Sequence, residues 1–191
     1  MFKFNNDSHN TMWVVDDFFE DPYAVRNFAM QQEYVEGGFG RGFIGRRSNN
    51  QFLFPGMKER FEQIIGRRIV KWEEHGMNGR FQYCYNHEPL VYHCDDQTWA
   101  AAIYLTPDAP PETGTTLWRH KKTKIKNQRD PNIVYCFDKG HLEKSAYEAV
   151  DVAGNIFNRL VIWDAASIHS ASQYCGETKE TSRFFQVFFF D

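Results

Sequence analysis

The order of apolar and polar positions separates an N-terminal part with two amphipathic helices from a longer part made of short strands. Asp21 followed by Pro22 predicts a helix start, because Asp accepts a hydrogen bond from the first turn and Pro suits the first helical position. A second helical pattern covers Met57–Ile65 and stops at Gly66. A short apolar segment with β-branched residues, Met12–Val15, predicts a strand that precedes both helices. We therefore expect two helices that pack against a sheet.

Strands dominate the pattern after the second helix. Segments rich in aromatic and β-branched residues alternate with turn-forming residues. The last segment is apolar on both faces, which is typical of a strand between two covered layers. The strands predicted here lie at residues 69–72, 80–85, 98–105, 114–118, 156–164 and 183–190. Residues 131–150 are predicted to form an amphipathic insertion that could be helical.

Two helices followed by about eight strands predict a mainly β fold with flanking helices. The architecture expected is a double-stranded β-helix, also called a jelly-roll or cupin-like fold. We expect one domain over residues 1–191, in which residues 1–80 supply helical support and first strands and residues 81–191 form the β-helix core.

Composition narrows the class of protein. With 191 residues, of which 42% are hydrophobic and 25% charged, the chain can bury a core without help from disulfides or metal. Because folding does not require a metal ion, any bound metal is expected to serve catalysis and not structure. The net charge of −3 argues against a surface that tracks nucleic acid throughout, although a local basic patch stays open.

The four cysteines and the N-terminus indicate the compartment. Cys84, Cys94, Cys136 and Cys175 contain no Cys-x-x-Cys pair, so we expect free thiols in a reducing environment. The N-terminus lacks the apolar stretch of a signal peptide, and no apolar run approaches membrane-spanning length. A cytoplasmic protein is expected, with no membrane partner.

Two segments have unusual composition. Residues 37–48 are rich in glycine and basic residues but lack the Gly-Lys-Ser/Thr of a phosphate loop. They predict a flexible surface loop, with a mobile substrate-facing loop as the alternative. The segment from Arg119 to Arg129 contains six Lys or Arg residues and no acidic residue. It predicts either a solvated loop or a lid that attracts an anionic partner, nucleic acid included.

A metal site is predicted where histidine and aspartate lie two residues apart. In a strand, His93 and Asp95 would project from the same side, and His169 follows a later apolar strand. Two histidines and one carboxylate leave open positions on an octahedral ion, as in non-haem Fe(II) oxygenases. Seven histidines and 25 acidic residues should produce about one His-x-Asp/Glu match by chance. A structural histidine and a turn aspartate are therefore the alternative.

A second match, His141 with Glu143, lies in a charged stretch close to His169 in sequence. We do not assign it as a metal pair, because this stretch could be helical rather than extended.

The order of these residues resembles a known family. From residue 81 to residue 191 the chain is similar to the 2-oxoglutarate- and Fe(II)-dependent oxygenases, particularly their prolyl-hydroxylase-like branch. The resemblance implies an iron ion held by His93, Asp95 and His169. It implies further that Arg183 pairs with the distal carboxylate of 2-oxoglutarate and that Tyr104 donates a hydrogen bond to the same carboxylate.

The match is incomplete at two places. Residues 114–117 resemble the Gly-Gly-x-Leu strand of the family, but Thr115 replaces the second glycine. Arg183 lies fourteen residues after His169, which is longer than the gap usual in prolyl hydroxylases.

The resemblance implies an enzyme that uses Fe(II), 2-oxoglutarate and O2 to hydroxylate a substrate, with release of succinate and CO2. A protein side chain or a small molecule is the favoured substrate, and a nucleobase stays open. The alternatives are a cupin-like metal enzyme that does not use 2-oxoglutarate and a non-catalytic jelly-roll binding module. Candidate pocket residues are Tyr83, Tyr85, Leu117 and Trp163.

Overall fold

The computed structural model describes residues 3, 10–38 and 42–191. Within these residues, ten strands and two α-helices alternate with three short 3-10 helices. The strands are β1 (Met12–Val15), β2 (Tyr34–Gly38), β3 (Phe43–Ser48), β4 (Arg80–Cys84), β5 (Trp99–Tyr104), β6 (Thr115–His120), β7 (Tyr147–Ala153), β8 (Leu160–Asp164), β9 (His169–Ala171) and β10 (Arg183–Phe190). The α-helices are α1 (Pro22–Met30) and α2 (Met57–Ile65), and the 3-10 helices are Pro111–Thr113, Ile133–Cys136 and Lys144–Ala146.

The strands form two antiparallel sheets. The larger sheet has seven strands in the order β1-β8-β5-β10-β4-β3-β2, and the smaller has the order β7-β6-β9. A buried apolar cluster between them takes Leu117 from the small sheet and Phe185 from the large one. The fold is a mainly β jelly-roll with flanking helices, so the predicted fold class is confirmed.

The large sheet has two different faces because side chains alternate along each strand. On β10, Phe184 and Phe188 face the helices and pack in a cluster with Phe61 of α2. Phe185 and Val187 face the small sheet instead. The helix-covered face therefore provides most of the aromatic core, and the opposite face is left to line the interior between the sheets.

The helix predictions are confirmed. The side chain of Asp21 accepts a hydrogen bond from the Ala24 amide at 2.9 Å, and Pro22 begins α1. Helix α2 ends at Gly66, whose left-handed conformation (φ 69°) lets its amide bond back to Glu62.

Several strand predictions were wrong or displaced. Residues 69–72 form no strand: the amides of Val70 and Lys71 both bond to the carbonyl of Asp191, and the Asp191 amide bonds back to the Lys71 carbonyl, which is not the regular alternation of a strand ladder. The predicted strand at 156–164 begins only at Leu160, because Asn158 adopts a positive φ of 66° and its side chain bonds to the backbone of Phe19.

The insertion at residues 131–150 contains no α-helix. It consists of two 3-10 helices and then β7, which pairs with β6 along its whole length. Only the two ends of β7 are buried and its middle is exposed, so the sequence lacks the alternation of apolar and polar residues by which a strand is recognised.

The glycine-rich segment is largely a hairpin and not a loop. Strands β2 and β3 pair across it, and residues 39–41 of the predicted loop lie outside the described residues. Gly45 has φ +84°, and a Cβ at this position would lie 2.3 Å from the carbonyl oxygen of Tyr83. A glycine is therefore needed for β3 to approach β4. With β1, β2 and β3 in the large sheet, residues 1–80 provide sheet edges as well as helical support.

The described helices include none with the length and apolar character needed to cross a membrane. Cys84, Cys94, Cys136 and Cys175 are all free thiols, as expected from their spacing.

We expect Phe61→Ala to lower the free energy of unfolding by about 3–5 kcal/mol, measured by urea denaturation. Phe61 is fully buried and packs edge-on or tilted against Trp72, Phe188 and Phe190, so truncation leaves a cavity at the centre of the helix-covered core. Val134→Ala is the matched control, since Val134 is 65% exposed and should change the same quantity little. Equal effects of the two substitutions would contradict this description of the core.

Candidate metal centre

His93 and His169 are joined through their backbones. The His93 amide bonds to the His169 carbonyl at 3.1 Å, and the His169 amide bonds back to the His93 carbonyl at 2.8 Å. His169 begins β9, whereas His93 lies in an isolated bridge and not in the regular strand that the spacing of His93 and Asp95 suggested. The Asp95 amide then bonds to the Ala165 carbonyl at 2.9 Å. Backbone pairing thus brings together two segments that are far apart in sequence.

The three side chains meet at one point. The ligand atoms of His93, Asp95 and His169 all lie within 4.8 Å of one another. His93 Nε2 lies 3.7 Å from Asp95 Oδ1, and His169 Nε2 lies 3.1 Å from Asp95 Oδ2. The two imidazole ring centroids are 4.3 Å apart. This spacing suits three ligands that surround one metal ion.

Hydrogen bonds set the tautomers of both imidazoles. His93 Nδ1 lies 2.9 Å from the Val91 carbonyl oxygen, and His169 Nδ1 lies 2.8 Å from that of Ser167. Only a protonated nitrogen can donate to a carbonyl, so in the neutral form of each ring the lone pair lies on Nε2, the atom that faces Asp95. Despite its short distance to His169, Asp95 Oδ2 is buried and makes no hydrogen bond of acceptable geometry with the described residues. A cation between these atoms would satisfy all three groups.

The electrostatics favour the forms that bind metal. Desolvation and the neighbouring His169 lower the pKa of His93 to about 4, so its imidazole is neutral at pH 7. Burial acts to raise the pKa of Asp95, but His169, His93 and Arg47 together lower it, so the carboxylate is ionised. Neutral imidazole and ionised carboxylate are the protonation states of metal ligands.

The basic segment at residues 119–129 supports this centre. Arg129 makes a bidentate ion pair with the buried Asp164 at 2.6 and 2.8 Å, and Asp164 Oδ1 also accepts from the Ala166 amide at 3.1 Å. Gln128 Nε2 donates to the Asp95 carbonyl at 2.6 Å, and the Gln128 amide bonds to the Ala166 carbonyl at 2.8 Å. The segment therefore holds the turn that leads to His169.

Two other basic residues of the segment share an acidic partner that is remote in sequence. Arg119 and Lys124 both pair with Glu148 of β7, at 2.9 and 2.8 Å. No residue from 119 to 129 lines the cavity beside the metal centre. The segment thus braces the site from behind and does not form a lid over it.

Arg183 and Tyr104 lie together in the interior. Arg183 Nε donates to the Thr113 carbonyl at 2.7 Å, and Nη2 contacts the Gly114 carbonyl at 3.1 Å and Thr115 Oγ1 at 3.3 Å. The Tyr104 hydroxyl forms a 2.7 Å hydrogen bond with Thr115 Oγ1. Both side chains are buried. Thr115, which replaces the second glycine of the motif, therefore links the two groups.

A cavity of about 580 Å³ opens beside the metal centre. His93 and Asp95 line it, together with Arg47, Gln82 and Tyr174. Burial raises the pKa of Tyr174 well above its usual value; the nearby Cys84 thiol acts in the same direction and the nearby Arg183 guanidinium in the opposite one. None of the last three lining residues was named as a candidate from sequence. Arg47 lies in residues 37–48, for which a substrate-facing loop was one alternative. Gln82 in β4 and Tyr174 after β9 are lone polar residues, and no local pattern shows what faces them in the fold.

The four candidate pocket residues do not line this cavity. Tyr83 packs on the helix-covered face, and Tyr85 stacks under the Arg46 guanidinium. Leu117 and Trp163 belong to the interior cluster, where Leu117 pairs with His169 and the Trp163 ring lies 5.2 Å from the His169 ring.

His141 and Glu143 do not form a metal pair among the described residues. His141 lines the cavity and contacts the Tyr92 carbonyl, whereas Glu143 bonds to Ser145.

Comparison with solved structures identifies proteins of the same fold. HygX from Streptomyces hygroscopicus, solved with nickel, 2-oxoglutarate and hygromycin B bound, has a TM-score of 0.62 and 12% identity, and the match covers 93% of this chain and 81% of HygX. A prolyl hydroxylase from Trichoplax adhaerens, in complex with a hypoxia-inducible-factor peptide fragment, has a TM-score of 0.52 and 11% identity over 95% of this chain and 84% of that one. No family model and no curated protein matches the sequence.

We expect Asp95→Asn to weaken binding of Ni(II) or Co(II) by more than about 100-fold, because even outer contacts to a metal site account for 10- to 100-fold in affinity. Isothermal titration calorimetry measures the change. Asp96→Asn is the matched control, since Asp96 is the adjacent residue and is exposed. Equal affinity in the two variants would show that Asp95 is not a ligand.

Arg129→Ala should weaken metal binding by about tenfold without contact with the ion, because it releases the turn that carries His169. Lys122→Ala, at an exposed position in the same segment, should leave the affinity unchanged. The same titration applies to both variants. An unchanged metal affinity in Arg129→Ala would show that the Arg129–Asp164 ion pair contributes to the stability of the fold and not to metal binding.

Proposed function

We propose that this protein is a non-haem Fe(II)- and 2-oxoglutarate-dependent dioxygenase that hydroxylates a substrate and releases succinate and CO2. The observation that carries the proposal is the convergence of two Nε2 atoms on the Asp95 carboxylate, whose buried Oδ2 atom lacks a hydrogen-bond partner among the described residues. The shared fold with a structure that holds nickel and 2-oxoglutarate supports it.

His93, Asp95 and His169 would hold the iron. Two neutral nitrogens and one carboxylate suit Fe(II) and leave coordination positions for a bidentate 2-oxo acid and for dioxygen. Bound iron would supply the oxygen chemistry, and the protein would supply position and shielding. The two Nδ1 atoms donate to the carbonyls of Val91 and Ser167, and these bonds keep the rings oriented before the metal arrives.

Arg183 would bind the distal carboxylate of 2-oxoglutarate. Its Nε and Nη2 atoms are held by neutral groups, namely the carbonyls of Thr113 and Gly114 and the Thr115 hydroxyl. The guanidinium also stacks on the Phe185 ring, 4.3 Å from the centroid. A planar cation fixed in this way is preorganised for a carboxylate, and its burial strengthens the ion pair.

Tyr104 would donate the second hydrogen bond to that carboxylate. Its hydroxyl can rotate from Thr115 Oγ1 towards an anion beside Arg183. Thr115 offers a further hydroxyl at this place, which a glycine could not.

The substrate is proposed to be a small molecule or a protein side chain. A cavity of about 580 Å³ is in the range that holds such groups. The neighbours support both classes, since HygX was solved with hygromycin B and the Trichoplax enzyme with a peptide. Nucleic acid bound through residues 119–129 stays a weaker alternative, because Arg119, Lys124 and Arg129 are already engaged in ion pairs.

Anaerobic addition of Fe(II) and 2-oxoglutarate tests the proposal. A weak metal-to-ligand charge-transfer band in the visible is expected, followed by succinate formation when oxygen is admitted. Metal binding with no band and no succinate would favour a cupin-like enzyme that does not use 2-oxoglutarate. Absence of metal binding would favour a non-catalytic module.

Tyr104→Phe and Arg183→Lys should each weaken 2-oxoglutarate binding, the second by about 10- to 100-fold, since a hydrogen bond to a charged group contributes about 1.5–3 kcal/mol. The titration of the charge-transfer band gives both affinities, and circular dichroism confirms folding. Arg119→Lys is the control, because Arg119 lies in the bracing segment outside the cavity. If Tyr104→Phe and Arg183→Lys both bound 2-oxoglutarate with wild-type affinity, neither residue would belong to the proposed co-substrate site.

A further inference from the structure

Arg47 is a buried cation that forms no ion pair with a carboxylate of the described residues, although Asp95 acts on it at longer range. Only 7% of the residue is exposed, and it lines the same cavity as His93 and Asp95. Its Nε donates to Gln82 Oε1 at 2.7 Å, and its guanidinium stacks on the Phe43 ring at 4.4 Å. In the part of the chain that the structure describes, no carboxylate lies within ion-pair distance of it, and its two Nη atoms have no protein acceptor.

The sheet determines where Arg47 points. Arg47 pairs with Gln82 across β3 and β4, and neighbouring residues on a strand face opposite sides. Arg46 accordingly points away from the cavity and forms ion pairs with Glu36 and Glu88. Two adjacent arginines thus differ sharply: one has two carboxylates, and the other is held in the cavity wall by neutral groups.

Gln82 fixes the guanidinium. Its Nε2 donates to the Ile44 carbonyl at 2.8 Å, which leaves Oε1 as the atom that accepts from Arg47. Because Nε of Arg47 is used in this contact, the two Nη atoms are the donors that remain. This is the edge of the fork that pairs with a planar carboxylate or with a phosphate.

The charges of the cavity favour an anion at this place. Desolvation lowers the pKa of Arg47 to about 10, so it is still protonated at neutral pH. Among the described residues, Asp95 is the one carboxylate that lines the cavity, and a bound metal would neutralise it. Keeping a buried cation without a counter-ion costs stability, which an anionic ligand would offset.

We propose that Arg47, positioned by Gln82, recognises an anionic group of the substrate, a carboxylate or a phosphate, on the substrate side of the metal centre. This inference rests on the proposed function and narrows its substrate class to small molecules or side chains that carry such a group. The co-substrate is assigned to Arg183, which is buried in the interior near Tyr174 and does not line the cavity. The two guanidiniums therefore serve different anions.

The experiment uses the folded protein loaded with Mn(II) and saturating 2-oxoglutarate, probed with acetate, inorganic phosphate and neutral acetamide. Paramagnetic relaxation of the probe nuclei reports binding near the metal, because the effect falls steeply with distance. Acetate or phosphate should bind and acetamide should not, and the stronger of the two anions identifies the group. Failure of both anions to bind the wild-type protein would overturn the inference.

Arg47→Gln should weaken binding of the anions by about 10- to 100-fold, as expected for the loss of charge-assisted hydrogen bonds. Arg46→Gln, one residue away and outside the cavity, should bind them as the wild type does. Equal anion binding by Arg47→Gln and wild type would overturn the inference. If Arg47→Gln does not fold, Arg47→Met is a second uncharged variant of similar length and decides the same question.

Two further measurements separate this inference from its alternatives. The charge-transfer titration of Arg47→Gln should give wild-type affinity for 2-oxoglutarate. A large loss of 2-oxoglutarate affinity in this variant would show that Arg47 binds the co-substrate. That result would overturn the inference but leave the proposed function intact. Absence of the charge-transfer band in the wild-type protein would instead contradict the proposed function. In that case, phosphate binding to the metal-free wild type and to Arg47→Gln would still test whether Arg47 binds an anion.

Urea denaturation tests a purely structural role for Arg47. Because its charge is buried without a counter-ion, Arg47→Met should unfold at a urea concentration close to that of the wild type. A large fall in this midpoint together with unchanged anion binding would show that Arg47 only supports the sheet.

Discussion

The site depends on a pair of backbone hydrogen bonds between His93 and His169. These two bonds join a loop that precedes β5 to the first residue of β9, and they fix the distance between the two imidazoles before any ligand binds. Asp95 follows two residues later and is held by the Ala165 carbonyl. Backbone pairing sets the spacing, and the carbonyls of Val91 and Ser167 set the ring orientation. The donor set is thus preorganised, as a metal site of high affinity requires.

The two faces of the large sheet have different roles, and the stability provided by one face offsets the cost of burying polar groups on the other. The helix-covered face is a nearly continuous aromatic core around Phe61, Phe184 and Phe188. The other face carries polar groups that are costly to bury, and each is held by neutral hydrogen-bond partners: Arg183 by backbone carbonyls and Arg47 by Gln82. Stability therefore comes mainly from one face, which leaves the other free to hold buried cations.

Prediction from sequence was accurate where the signal is local. The start of α1 at Asp21-Pro22, the end of α2 at Gly66 and the two-sided apolar pattern of β10 follow from caps and periodicity, and the structure has them where expected. It failed where the outcome depends on a distant partner. Strand β7 has an exposed centre and is defined by its pairing with β6, and β3 is glycine-containing because it must approach β4 closely.

The chain by itself determined the identity and order of the chemical groups: a histidine and an aspartate two residues apart, a later histidine, and an arginine on the final strand. It also determined the jelly-roll class, through short strands after two capped helices. Only the tertiary structure decided that the basic segment braces the His169 turn through Asp164 and that Arg47 faces the cavity while Arg46 faces away. The physical reason is that strand register and long-range ion pairs join residues that are distant in sequence, so no local pattern specifies them.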